Sequence, residues 1–218
     1  MHFSSAISLL AIPALVAAQG YGPAPGPASG SSTSAAAAAV PSAPPSTSSQ
    51  INIDVAAGEK LIFNPANVTA ANGTTVTFYF PNNGLTHSVT QSSFAAPCAY
   101  LAANATASTP GGFDSGLTMG TQFTITITND QKPIWFHCKQ VGHCGQGMVG
   151  SINAPANGTN TFSAFQAAAM AIGSSETQES DSGPVTGGVN GVASASPANT
   201  ASAAAAAKTT PSSGKRCN

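Results

Sequence analysis

What this chain can fold into is set first by where its apolar residues lie. They crowd between about Gln50 and Ala171, and there they come as short runs alternating with polar residues. Ile51, Ile53 and Val55 form one such run; Val76, Phe78 and Phe80 alternate with Thr75, Thr77 and Tyr79; Phe123, Ile125 and Ile127 alternate with Thr124, Thr126 and Thr128. Successive side chains of a strand point to opposite faces, so each run offers one face to a core. Ala57-Gly58, Asn72-Gly73, Asn82-Asn83-Gly84 and Gly111-Gly112 supply turn chemistry between the runs. Several short strands with such punctuation, over roughly a hundred residues, indicate an all-β sandwich or barrel. Behind it, Thr161 to Ala171 predicts one short helix that presents Phe162, Phe165 and Ala169 or Met170 to the sandwich.

From Gln19 to Ser49 and from Gly173 to Asn218 the sequence is dominated by Gly, Pro, Ala, Ser and Thr, with almost nothing to bury. The expected organisation is therefore a signal peptide at 1–18, a disordered low-complexity linker at 19–49, the β domain at 50–155, a short helical extension at 156–172 and a disordered low-complexity tail at 173–218. The apolar stretch within Met1 to Ala18, closed by small residues before Gln19, has the pattern of a cleavable secretory signal. Pro13 interrupts it and it is shorter than the ~20 apolar residues of a membrane span. Secretion, to the extracellular space or a cell wall, is the expectation. Sequons at Asn67, Asn72, Asn104 and Asn157 fit that compartment, as would disulfides. Lys208 to Asn218 is polar and argues against a glycolipid anchor, while Lys215-Arg216 before Cys217 has the form of a dibasic processing site. With 6 Lys and Arg against 7 Asp and Glu, the chain has no basic footprint for nucleic acid and no acidic field for a cationic partner.

The segment Ile134 to Met148 gathers soft and borderline metal ligands in a chain otherwise poor in them: His137, Cys138, His143, Cys144 and Met148. Strand alternation turns Ile134, Phe136 and Cys138 inward together, with Trp135 and His137 on the other face. Gly142, Gly145 and Gly147 let the chain loop back, so that Cys138, His143 and Met148 can reach one point. His87, past the Asn82-Asn83-Gly84 turn with Leu85 and Val89 as same-face neighbours, supplies a second imidazole. Two His and one Cys in a trigonal set with a long axial thioether are the signature of a blue-copper electron-transfer site. Structural zinc sites seldom include methionine, so Met148 favours one copper ion cycling between Cu(I) and Cu(II).

The spacing Cys138-x4-His143-x4-Met148, the isolated upstream His87 and the cysteine directly after the loop histidine resemble the phytocyanin branch of the cupredoxins, and most closely the fungal extracellular serine-rich cupredoxin-like proteins. Further matching residues are Phe63-x-Pro65 leading to Gly73-x-x-Val76, the run His87 to Phe94, and Gly112 to Gly116. The resemblance covers about Ile51 to Pro155. It implies a cupredoxin-like Greek-key sandwich or barrel and carries His87, Cys138, His143 and Met148 over as the ligands, with methionine where some relatives have glutamine. It also implies that Cys98 pairs with Cys144, leaving Cys138 for copper and Cys217 unpaired. Taken alone, four cysteines allow three pairings, and a Cys138–Cys144 bridge would abolish the metal site. His137-Cys138-Lys139 also resembles the last motif of multicopper oxidases, but Lys139 replaces a required histidine and no His-x-His pair occurs.

His137 is accordingly read as a surface or packing residue, Trp135 as core or rim, and Lys139 as a solvated charge. Asn83 is read either as a turn residue or as the donor of a backbone bond near Cys138. Four protein ligands leave no open coordination position, which points to binding rather than catalysis. The expected function is one-electron transfer by a monomer, with His143 as the electron port and a redox protein or a small-molecule reductant as partner, docked through an apolar patch. The alternatives are copper storage or delivery, and a non-catalytic cell-wall protein, associated with wall polysaccharide, that keeps the fold.

Overall fold

The structure is a computed structural model, and it describes residues 43–194 together with the backbone of residues 198 and 199. The expected signal peptide, residues 19–42 of the first linker, the Lys215-Arg216 site and Cys217 lie outside the described residues. Among the described residues there are ten strands and one α-helix: β1 (Gln50–Val55), β2 (Phe63–Asn64), β3 (Asn67–Val68), β4 (Thr75–Tyr79), β5 (Thr90–Ser92), β6 (Thr121–Ile127), β7 (Ile134–His137), β8 (Val149–Ile152), α1 (Phe162–Ile172), β9 (Gly191–Val192) and β10 (Ala198–Asn199). The three alternating runs of the sequence are β1, β4 and β6. Among the described residues no helix is long and apolar enough to cross a membrane.

Two sheets face each other. The larger has the order β10-β6-β4-β1-β2, with β9 also paired to β6; the smaller has the order β3-β8-β7-β5. β1 and β4 run parallel with Ile53 opposite Phe78, and β4 and β6 run antiparallel with Phe78 opposite Phe123. This register puts the apolar member of each alternating pair on one face. Ile53, Val76, Phe78, Phe123 and Ile125 are all buried there. Across the interior, Phe136 of β7 meets Phe63 and Phe78 edge to face, with ring centroids 5.0 and 5.2 Å away. Such offset contacts match the edge of one ring to the face of the next and add about 0.5–1.5 kcal/mol each to the burial. Opposite Phe136 stands Gly150, where any Cβ would run into the phenyl ring. The glycine there is a packing requirement.

The smaller sheet departs from the one-face expectation, since every residue of β7 and β8 is buried. Its outer face is covered by α1, which lies against it through Phe165 and Ala169. Thr161 begins that helix, its side chain accepting a bond from the Ala164 amide over 3.2 Å, as N-cap threonines do. Phe165 packs on Trp135 at 4.7 Å, and Phe94 packs on Trp135 at 5.1 Å. Trp135 is thus the centre of a second apolar cluster. Met170, one of the two alternatives for the buried position, faces solvent and Ala169 takes its place.

The tail expected to be structureless from Gly173 onward is ordered over residues 173–194. Residues 173–194 run back across the domain: Val185 pairs with Asp114, and β9 pairs with β6 through Val192 opposite Thr126. Gln91 Nε2 donates to Val189 O over 2.7 Å and Gln91 Oε1 accepts from Val189 N over 3.0 Å. Composition missed this, because the segment is held by backbone pairing and by a few acidic side chains rather than by apolar burial. Beyond residue 194 the expected tail falls outside the described side chains.

Candidate metal centre

β7 ends at His137 and the next residue is Cys138, so the strand's alternation aims the thiol into the interior beside Phe136. The chain then reverses over ten residues. His143 N donates to Gln140 O, Met148 N to His143 O, and Cys138 N to Met148 O, at 3.0, 3.0 and 3.1 Å. Gly142 and Gly147 take left-handed backbone conformations, with φ of +82° and +93°, which side-chain-bearing residues rarely adopt. The loop therefore closes on itself and begins and ends beside Cys138. His87 arrives from another part of the chain, held by reciprocal backbone bonds with Thr118 at 3.0 and 2.9 Å.

His87, Cys138 and His143 are brought together, each offering one ligand atom within 4.8 Å of the others. The Cys138 Sγ lies 3.9 Å from His87 Nδ1 and 3.4 Å from His143 Nδ1, and the two imidazole centroids are 4.9 Å apart. Met148, fully buried in the same core cluster as Cys138, is joined to both Cys138 and His143 through its backbone. His87 is buried and His143 half-buried. Cys98 and Cys144 form a disulfide with Cα atoms 5.7 Å apart, and Cys138 is a free, buried cysteine. The pairing that would abolish the site is absent.

Electrostatics at the centre favour metal-binding forms of the imidazoles. Burial, and next the neighbouring His143, push the His87 pKa down to about 4. Burial also lowers that of His143, against the Glu176 carboxylate, which raises it. Both rings are neutral at pH 7, with a nitrogen lone pair free. Burial pushes the Cys138 thiol up to about 11, even though the Ser88 amide donates to its sulfur over 3.4 Å. His87 Nε2 is buried without a protein partner. The atoms that face one another, His87 Nδ1, His143 Nδ1 and Cys138 Sγ, belong to two neutral imidazoles and a buried thiol, whose desolvation their mutual contacts and the Ser88 amide offset only in part. A soft or borderline cation binding at the facing atoms would offset it, so the donor set fits copper.

One expectation needs correction and two are narrowed. Lys139 is not a solvated charge: it is 6% exposed and its Nζ pairs with Asp114 at 2.6 Å and Asp181 at 2.8 Å. Asn83 is a turn residue, its side chain accepting from the Leu85 amide, and the bond to the Cys138 sulfur comes from Ser88. His137 points away from the core and is the packing residue of the two readings: it is 1% exposed, with Nε2 3.2 Å from Glu179 Oε1.

Sequence reasoning passed over Ser88, whose Oγ accepts from Lys139 N at 2.8 Å and also bonds Thr90 Oγ1 at 2.8 Å. It also passed over Glu176, Glu179 and Asp181. Those are three of the chain's seven acidic residues within six positions of a Ser- and Gly-rich stretch, a concentration that could have flagged them.

Residues 49–154 match the family model described as copper binding proteins, plastocyanin/azurin family. Among solved structures, dithionite-reduced auracyanin from the photosynthetic bacterium Roseiflexus castenholzii is 21% identical, covering 50% of this chain and 97% of its own, with a TM-score of 0.36. A pseudoazurin from Sinorhizobium meliltoi is 20% identical, covering 56% of this chain and 94% of its own, with a TM-score of 0.30. No curated protein matches the chain.

Proposed function

We propose, taking residues 49–154 as a copper-binding cupredoxin domain of the plastocyanin/azurin family, that this protein carries single electrons on one copper ion held by His87 Nδ1, Cys138 Sγ, His143 Nδ1 and the Met148 thioether. The observation that carries the reading is the convergence of two neutral imidazoles on the one free cysteine among the described residues, with Met148 closing the loop behind them. Copper in such a set supplies a one-electron couple, because thiolate and thioether favour Cu(I) and imidazole suits both oxidation states.

The protein's part is to hold these groups still. His87 is fixed by the Thr118 backbone, Cys138 by the end of β7 and the Ser88 amide, and His143 by the Cys144 disulfide next to it. Little rearrangement is then needed between oxidation states. His143 is the least buried of the three converging residues and serves as the electron port. Around these residues Leu85 and Val141 are 58% and 50% exposed, apolar side chains suited to brief docking of a redox protein or a small reductant.

The site of action is outside the cell. The signal-like sequence of Met1 to Ala18 and the Cys98–Cys144 disulfide support this, since disulfides persist in oxidising compartments. The phytocyanin-like, serine-rich fungal type is the branch that the spacing around Cys138 favours.

The test is the visible spectrum of the purified protein after one equivalent of Cu(II), beside Cys138→Ala. An intense thiolate-to-copper band present only with Cys138, and reversible one-electron voltammetry, are expected. Copper bound without that band would overturn the ligand set. A band without reversible reduction would leave a copper store rather than a carrier.

A further inference from the structure

The outer edge of the metal loop is held by a carboxylate from beyond the family-matched segment. Glu176 follows α1 and the turn at Gly173–Ser175. Its Oε1 accepts from Gly142 N, and its Oε2 accepts from Gly145 N over 2.7 Å. These two amides bracket His143. Neither position tolerates a side chain easily: Gly142 has a left-handed backbone, and a Cβ on Gly145 would collide with the carbonyl oxygen of Gly173. The loop's backbone thus meets the post-helix turn directly.

The next residues continue the pattern. Glu179 Oε1 accepts from Tyr100 N over 2.7 Å and lies 3.2 Å from His137 Nε2. Asp181 pairs with Lys139 Nζ and accepts from Leu117 N. His137 and Lys139 are the residues on either side of Cys138. Three carboxylates within six residues therefore grip the immediate neighbours of Cys138 and His143, in a stretch with little apolar surface of its own. A carboxylate accepting two backbone N–H bonds makes charge-assisted contacts, stronger than neutral ones.

We propose that residues 176–181 are a strap that completes the metal centre, with Glu176 as a positioning residue that fixes the His143 loop and holds the copper reduction potential down. The inference rests on the copper reading above. A fixed negative charge beside the centre stabilises the more positive Cu(II) over Cu(I). Removing it shifts the couple toward Cu(I).

The experiment uses the full chain as wild type, Glu176→Gln, Glu176→Ala and Asp130→Asn. Asp130 is half-exposed in the turn between β6 and β7, at the other end of β7 from Cys138, so its variant removes the same charge far from the loop. In the metal-free protein, amide hydrogen exchange at Gly142 and Gly145 should be slow in wild type and in Asp130→Asn. It should speed at least tenfold in Glu176→Ala, with other protected amides unchanged. In the copper-loaded protein, Glu176→Gln should raise the Cu(I)/Cu(II) ratio at fixed potential about tenfold, or about 59 mV for one electron, with Asp130→Asn unmoved.

Equal exchange at the two glycines in all four proteins overturns the strap, whatever copper does. Fast exchange in Glu176→Ala without a change of potential overturns the electrostatic half. Absence of a charge-transfer band in wild type defeats the copper reading, and with it the claim on the potential, while the exchange data still decide the strap.

Discussion

The amide of Ser88 donates to the sulfur of Cys138 over 3.4 Å, linking the residue after one histidine to the cysteine fifty positions later. The Ser88 hydroxyl is committed as well, accepting from Lys139 N and bonding Thr90 Oγ1. Ser88→Ala keeps the amide and strands the buried Lys139 N–H. A loss of about 1–3 kcal/mol in unfolding free energy is expected, read from urea denaturation of the metal-free protein. An unchanged midpoint would mean that the hydroxyl is replaceable by water.

The metal-free domain should lose stability in mild acid. The folded pKa of His87 is pushed down to about 4, below the ordinary histidine value of about 6.5 in the unfolded chain. Between these values the unfolded state binds a proton that the folded state refuses, so stability is full above about pH 6.5 and falls as pH drops toward 4. His143 is shifted in the same direction and adds to the slope. Urea midpoints at pH 7.5 and 4.5 should differ clearly in wild type and less in His87→Gln.

Copper uptake should depend on pH in the opposite limb. The Cys138 thiol, pushed up to about 11, is protonated at neutral pH and must release that proton to ligate. Apparent Cu(II) affinity should rise about tenfold per pH unit between pH 7 and 8.5, where the histidines are already neutral. Competition titrations against a chelator of known pH dependence measure the slope. A flat profile would place the thiolate, and hence Cys138, outside the bound set.

Replacing both Cys98 and Cys144 by alanine opens a closed loop of 46 residues' separation. The chain-entropy model gives a loss of about 4 kcal/mol. Because Cys144 adjoins His143, the charge-transfer spectrum should broaden as well. Calorimetry and the visible spectrum of the same sample check the two effects.

Lys139→Ala leaves Asp114 buried without its cation. Removing one partner of a buried ion pair costs about 3–5 kcal/mol, larger than any surface pair would, and thermal unfolding should show it as a marked fall in Tm. A change within experimental scatter would mean that the aspartates take up protons or solvent at little cost.

The sandwich was legible because its signal is periodic and local. β1, β4 and β6 are the three alternating runs, and α1 is the amphipathic stretch after Thr161 with its burial register nearly as expected. The metal-site candidates were legible because ligand chemistry restricts residue type, and because Cys138, His143 and Met148 are close enough in the chain for one loop to gather them. Copper as the cofactor followed from the thioether among them.

What sequence alone determined, then, was the strand pattern, the helix and the kind of donors available, all of which depend on neighbours within a few positions. Tertiary structure decided which of those donors meet: that His87 reaches Cys138 across fifty residues, that Cys98 takes Cys144, and that Ser88 rather than Asn83 bonds the sulfur. It also turned Lys139 from a solvated charge into a buried one and made His137 a packing residue rather than a surface one, since the cover over them comes from residues 176–181. That cover is built from backbone amides and single carboxylates, which leave no periodicity in the sequence; their partners are set only when the chain has returned across the domain.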